Sequence, residues 1–229
     1  TAGGEPLYGT SYNPGFINYK TLAVHYLKYA INKQFSITTI NAADGYQNGN
    51  TVNGVFTVDP KSNQTRQRVT NGGRIEFEKN KWYATVASYY QWGKDPLSSK
   101  HLSAWYVQPE IKYTVPKNLT VQLGAEVWSG DDATSTSDDS KEFNHNFVPL
   151  YGVAHRFNGS MDFFTRFPSD INNAGLINPY LFITKTLGTK FEFRTDFHLF
   201  YSQNNALLLK DRAGVTQPAG TLINKYLGY

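Results

Sequence analysis

From Lys190 to Gln203 the chain alternates at every step. Phe191, Phe193, Thr195, Phe197, Leu199 and Tyr201 fall on one row, and Glu192, Arg194, Asp196 and His198 on the other. A period of two belongs to a β-strand with one apolar and one polar face. The run exceeds the five or six residues of an average soluble strand, roughly, and reaches the ten or so that a tilted membrane strand needs, about. The same pattern recurs. Leu119, Val121, Leu123, Ala125 and Val127 oppose Thr120, Gln122, Gly124 and Glu126. Trp105, Val107, Pro109, Ile111 and Tyr113 oppose Tyr106, Gln108, Glu110 and Lys112.

The connections are sorted by length. Strand segments are expected over 18–31, 35–43, 69–78, 82–92, 102–115, 119–128, 176–187 and 190–203, with a partial one from 222, about nine in all. Short polar turns follow at Asn32-Lys33, Lys79-Asn80-Lys81, Pro116-Lys117-Asn118 and Gly188-Thr189. Between them lie longer stretches rich in Gly, Asn, Ser, Thr and Asp: 44–66, 93–96, 130–175 and 204–220. Outer-membrane barrels connect their strands in this way, with short periplasmic turns and longer extracellular loops. The reading is an all-β chain, an antiparallel transmembrane β-barrel or part of a larger one. Residues 1–229 form one domain, and 130–175 is its long extracellular loop.

Composition narrows the classes. The chain holds 16 Tyr, 15 Phe and 4 Trp, yet no apolar stretch is long enough for a transmembrane helix. Many aromatics in a polar chain suit strands wetted on one side only. No cysteine is present, which excludes a disulfide framework and a Cys-based zinc site. The net charge of +4 is scattered, which argues against nucleic acid as a partner. Trp82, Trp92, Trp105 and Trp128 stand near strand ends, where interfacial aromatic girdles lie. A soluble β-sandwich also alternates, but it has no reason for such long strands or sorted connections.

The stretch 127–164 reads VWSGDDATSTSDDSKEFNHNFVPLYGVAHRFNGSMDFF. In it, Ser129-Gly130-Asp131-Asp132, Phe147-Val148-Pro149-Leu150-Tyr151-Gly152, His155-Arg156-Phe157 and Gly159-Ser160-Met161-Asp162-Phe163-Phe164 come in order. Gly175-Leu176 and Phe197-His198-Leu199-Phe200 follow. This series resembles the signature region of the alginate-export family of outer-membrane porins and covers about a third of the chain. The resemblance implies a barrel in the outer membrane of a Gram-negative bacterium, larger than about nine strands can close. This chain would then be an internal part of it. It also implies a loop motif of Ser129, Gly130, Asp131, Asp132, His155, Arg156 and Asp162, with the loop beyond Ser129 folding inward.

The expected function is a porin passing hydrophilic solutes, an oligo- or polysaccharide among them, with outer-membrane lipid around it. The polar row would line the pore: Glu192, Arg194, Asp196 and His198, joined by Glu110, Lys112, Gln122, Glu126, Arg74 and Glu76. The signs are mixed. Two other readings are a structural barrel subunit with an envelope protein partner, and a soluble β-sheet carbohydrate-binding module. Asp131, Asp132, Asp138 and Asp139 lack EF-hand spacing and read as a solvated acidic loop. Ser160, His155 and Asp162 are close in sequence, but nothing marks a nucleophile elbow. Neither an enzyme nor a metal or other cofactor is expected.

Overall fold

Long alternating strands joined by tight turns give a meander. The computed structural model describes residues 19–52, 55–59, 65–96, 98, 100–116, 118–150, 171–207, 216 and 218–228. The strands are β1 (Tyr19–Ala30), β2 (Phe35–Gln47), β3 (Gly49–Val52), β4 (Val55–Val58), β5 (Thr65–Lys79), β6 (Trp82–Lys94), β7 (His101–Val115) and β8 (Leu119–Trp128). A short helix, α1 (Asp138–Glu142), and β9 (Phe143–Asn144) follow. β10 (Leu176–Leu187), β11 (Phe191–His198), β12 (Phe200–Ser202) and β13 (Tyr226–Gly228) complete the order.

The chain is all-β. One sheet of 11 strands runs β1-β2-β5-β6-β7-β8-β10-β12-β13, with β11 also on β10 and β9 on β7. Every pairing in it is antiparallel except the two-residue β9, which runs parallel to β7. β3 and β4 form a separate hairpin. The sheet is open: among the described residues β1 pairs with β2 alone.

Each short turn has a local cause. Asn80, Asn118 and Gly188 hold positive φ of 57°, 59° and 64°. Asn and Gly accept that conformation at least cost. At the fourth turn Asn32 Oδ1 accepts the backbone N–H groups of Gln34 and Phe35 at 2.8 and 2.9 Å.

Two boundaries differ from the expectation. β2 continues past Ala43 to Gln47, and β5 begins at Thr65, four positions before Val69. The extra rungs are Asp44↔Arg68, Gly45↔Gln67, Tyr46↔Arg66 and Gln47↔Thr65. Polar residues that read as loop are paired across the strands here. The expected loop 44–66 also carries the β3–β4 hairpin, and the expected last strand narrows to β13. Leu199, outside both β11 and β12, breaks the strand expected over 190–203.

Candidate functional site

The ladder decides which side chains share a face. Glu76, Thr85 and Glu110 align across β5, β6 and β7, and Glu110 meets Gly124 of β8. Gly124 faces Tyr180, which faces His198. One step along, Lys112, Gln122, Phe182 and Asp196 align in the same way. Arg74 pairs with Ala87, Glu126 with Asn178, Arg194 with Thr184, and Glu192 with Thr186. All ten residues expected on the polar row therefore stand on one face of one sheet.

That face is a hydrogen-bonded wall. Tyr83 donates to Glu76 at 2.8 Å, Tyr180 to Glu110 at 2.7 Å and Tyr106 to Glu126 at 3.0 Å. Each carboxylate thus takes a tyrosine hydroxyl from a nearby strand. Gln122 adds a second donor to Glu110 at 2.8 Å, and Asn178 adds one to Glu126 at 3.0 Å. Because Asn178 Nδ2 donates to Glu126, its Oδ1 is left as acceptor for His198 Nδ1–H at 3.1 Å. That order puts the free lone pair of neutral His198 on Nε2. Toward the long-connection end, Arg68 holds Asp44 with Nε at 3.1 Å and Nη2 at 2.7 Å. This pair is almost fully buried.

The opposite face is apolar and open. Ile37, Ile75, Val86 and Pro109 continue from strand to strand, as do Ile111, Leu123, Leu181 and Phe197. From β2 to β11 this face carries no charged side chain between the rim residues Lys79 and Lys185 at one end and Lys94 and His101 at the other. The burial is inverted relative to a soluble domain. Gln91 and Asn178 are 0 % exposed, while Phe191 is 72 % and Phe193 65 %.

Trp82, Trp92 and Trp105 lie on the apolar face, exposed, near strand ends. Trp128 is a correction to the expected girdle. It sits one residue beyond the apolar row that ends at Val127, so it turns to the other face, opposite Tyr106 and Leu176. It is buried there, 4.5 Å from Tyr106 and 5.7 Å from Phe147 between ring centroids.

The segment after β8 returns along the polar face. Ser129 Oγ accepts Trp105 N at 2.7 Å and donates to His145 O at 2.7 Å. Farther on, Val148 N donates to Gln91 Oε1 at 3.0 Å and Gln91 Nε2 donates to Val148 O at 2.8 Å. A β6 side chain thus holds 145–150 as a strap on the wall, with Phe147 buried and stacked 5.6 Å from Tyr106.

The Ser-Gly-Asp-Asp motif clasps this strap. Asp131 accepts His145 N at 2.8 Å and Asn146 Nδ2 at 2.7 Å. Gly130 N donates to Gln203 Oε1 at 3.1 Å, and Asn204 Nδ2 donates to Gly130 O at 2.6 Å. Gln203, Asn204 and Asn205 carry no periodic signal, and a separation above 70 residues hides their role in the sequence. His155, Arg156 and Asp162 of the expected motif, with Ser160, lie outside the described residues. Among the described residues no group of His, Asp and Glu side chains has metal-binding geometry. The acidic loop is used instead for caps: Ser137 caps α1, and Asp132 folds onto Thr134.

Asp132 titrates below the ordinary aspartate range, first because the Thr134 hydroxyl and N–H donate to it and then because of Asn205. A depressed carboxyl pKa stabilises the fold above its unfolded value, and this contribution is lost as pH falls through the folded value. We expect protease cleavage within 131–145 to rise with acidification below the aspartate range. Asp132→Asn should cleave at the acid-form rate at neutral pH and lose that dependence. A variant that keeps the wild-type pH profile would remove Asp132 from this role.

Comparison with models of protein families, with curated proteins and with solved structures finds no match to this chain.

Proposed function

We propose that this sheet is part of the wall of an outer-membrane β-barrel, a passive pore for hydrophilic solutes, with the polar row inside and the apolar row against lipid. The inverted burial carries the reading: aromatics and aliphatics stand exposed while Asp44, Arg68, Gln91, Glu126 and Asn178 are buried. Spacing supports it. Trp82 and Trp92 share the outward row of β6 and bracket ten residue steps. That is about 33 Å along a strand. At a tilt of about 40° it becomes about 25 Å, the height of an outer-membrane apolar band. Polar contacts on this row gather at one rim, where Trp92 Nε1 donates to Asn71 at 2.7 Å and Asn71 to Asn41 at 2.8 Å. The four tight turns share one end of the sheet, as periplasmic turns do. The resemblance of 127–164 to alginate-export porins points the same way, on the residues quoted above.

In a pore the tyrosine-capped carboxyl groups would set the polarity of the wall, and the strap 145–150 would narrow the lumen. The strap also favours a second reading, a plugged structural barrel with an envelope partner. Single-channel recording of the detergent-folded protein in planar bilayers separates them. We expect stable open steps that added charged oligosaccharides block. A folded, heat-modifiable species without conductance would favour the plugged barrel, and full solubility without detergent would end both membrane readings.

A further inference from the structure

Where the strap meets the wall, the packing leaves a cavity of about 230 Å³ lined by Ile40, Thr70, Tyr89, Trp128, Phe147 and Leu150, among others. These groups come from five strands, β2 and β5 to β8, and the strap, all on the polar-row face, and the lining is mostly apolar and aromatic. An apolar cavity of about 150 Å³ stays dry and accepts benzene, so this one has room for a six-membered ring with a small substituent.

One polar atom has nothing to do there. Thr70 Oγ1 is buried without a hydrogen-bond partner. The Gln91 amide and the Tyr106 hydroxyl are committed elsewhere: both ends of the amide go to Val148, and the hydroxyl goes to Glu126. An orphaned buried hydroxyl is unfavourable, and a ligand that meets it gains accordingly.

We propose that this cavity is a binding site for a single aromatic ring bearing one hydroxyl, a phenol-type ligand. Size and the aromatic walls select the ring, and Thr70 selects the hydroxyl. A sugar ring would bring several hydroxyls to a lining that is mostly apolar and aromatic, and the unmet ones would disfavour it. The site depends on the strap's packing against the wall and stands whether or not the sheet encloses an open pore.

The probes are 4-fluorophenol and fluorobenzene, followed by fluorine NMR on the detergent-folded protein. Both should bind saturably, and glucose should displace neither. Thr70→Val, of nearly the same shape, should weaken 4-fluorophenol roughly tenfold and leave fluorobenzene unchanged. Ala42, next to Thr70 on the ladder, also lines the cavity, and Ala42→Phe should abolish both by filling the space. Uptake that never saturates, equal effects of Thr70→Val on both probes, or displacement by glucose would overturn the proposal. Conductance is not the readout, so failure here differs from failure of the pore reading.

Discussion

Leu123→Arg is expected to destabilise the protein folded in phospholipid vesicles by about 2–4 kcal/mol. Leu123 is 56 % exposed on the apolar row, between Ile111 of β7 and Leu181 of β10. In water such a substitution changes stability by no more than about 0.5 kcal/mol, because an exposed Arg loses no hydration. In lipid the same guanidinium must shed water or deform the bilayer. Depth supplies an internal control. Tyr113, on the same row but near the short-turn end and with its ring centroid 4.4 Å from that of Trp82, would sit at the interface. Tyr113→Arg should then lose only about 0–1 kcal/mol to lipid exposure. Urea refolding of both variants in vesicles measures the gradient. Equal, small effects would sink the assignment of this face to lipid.

The rows of β7, β8 and β11 were legible because a period of two survives any number of strands; in β10 neither row is cleanly apolar, and its faces came from pairing with β8. Wherever the alternation was clean, the face assignment followed. The polar row's internal chemistry was not legible: that Tyr180 serves Glu110, and Tyr106 Glu126, depends on register, which the alternation leaves open. Trp128 shows how sharp that limit is. A shift of one residue past Val127 moves an indole from the apolar face to the buried cluster with Tyr106 and Phe147. The hairpin β3–β4 did have a signal, Asn53-Gly54 between the β-prone pairs Thr51-Val52 and Val55-Phe56. The surrounding Asn- and Thr-rich stretch reads as loop and masks it. β1 has apolar residues on both rows, with Leu22, Val24 and Tyr26 exposed on the polar-face side. Its ambiguity in the sequence is therefore real in the fold. The motif 129–132 was visible as a motif, but its clasp needed partners from 203–205, which no local pattern announces.

That clasp predicts the second large effect. Gly130→Ala is expected to destabilise the fold by about 3 kcal/mol, at the upper end of overpacking costs. A Cβ at Gly130 would lie 2.0 Å from Gly175 N, 2.3 Å from Ala174 C and 2.6 Å from Asn173 O. All three are backbone atoms, so no side chain can rotate away. The segments cannot simply part either, because Asp131 N donates to Asn173 O at 2.8 Å and Gly130 is bonded on both sides to Gln203 and Asn204. Gly188→Ala is the matched control. Its Cβ would meet nothing within 4 Å, and only its φ of 64° opposes the methyl. That strain is worth about 1–2 kcal/mol. Urea midpoints should therefore order wild type, Gly188→Ala, Gly130→Ala. In Gly130→Ala alone, protease should cut within 133–142 before the sheet unfolds, because the strap loses its anchor while the ladder from β5 to β8 stays paired. If both variants lose the same stability and the loop stays protected, the close approach of Gly130 to 173–175 does not hold the strap, and Ser129, Asp131 and Gln91 hold it without that contact.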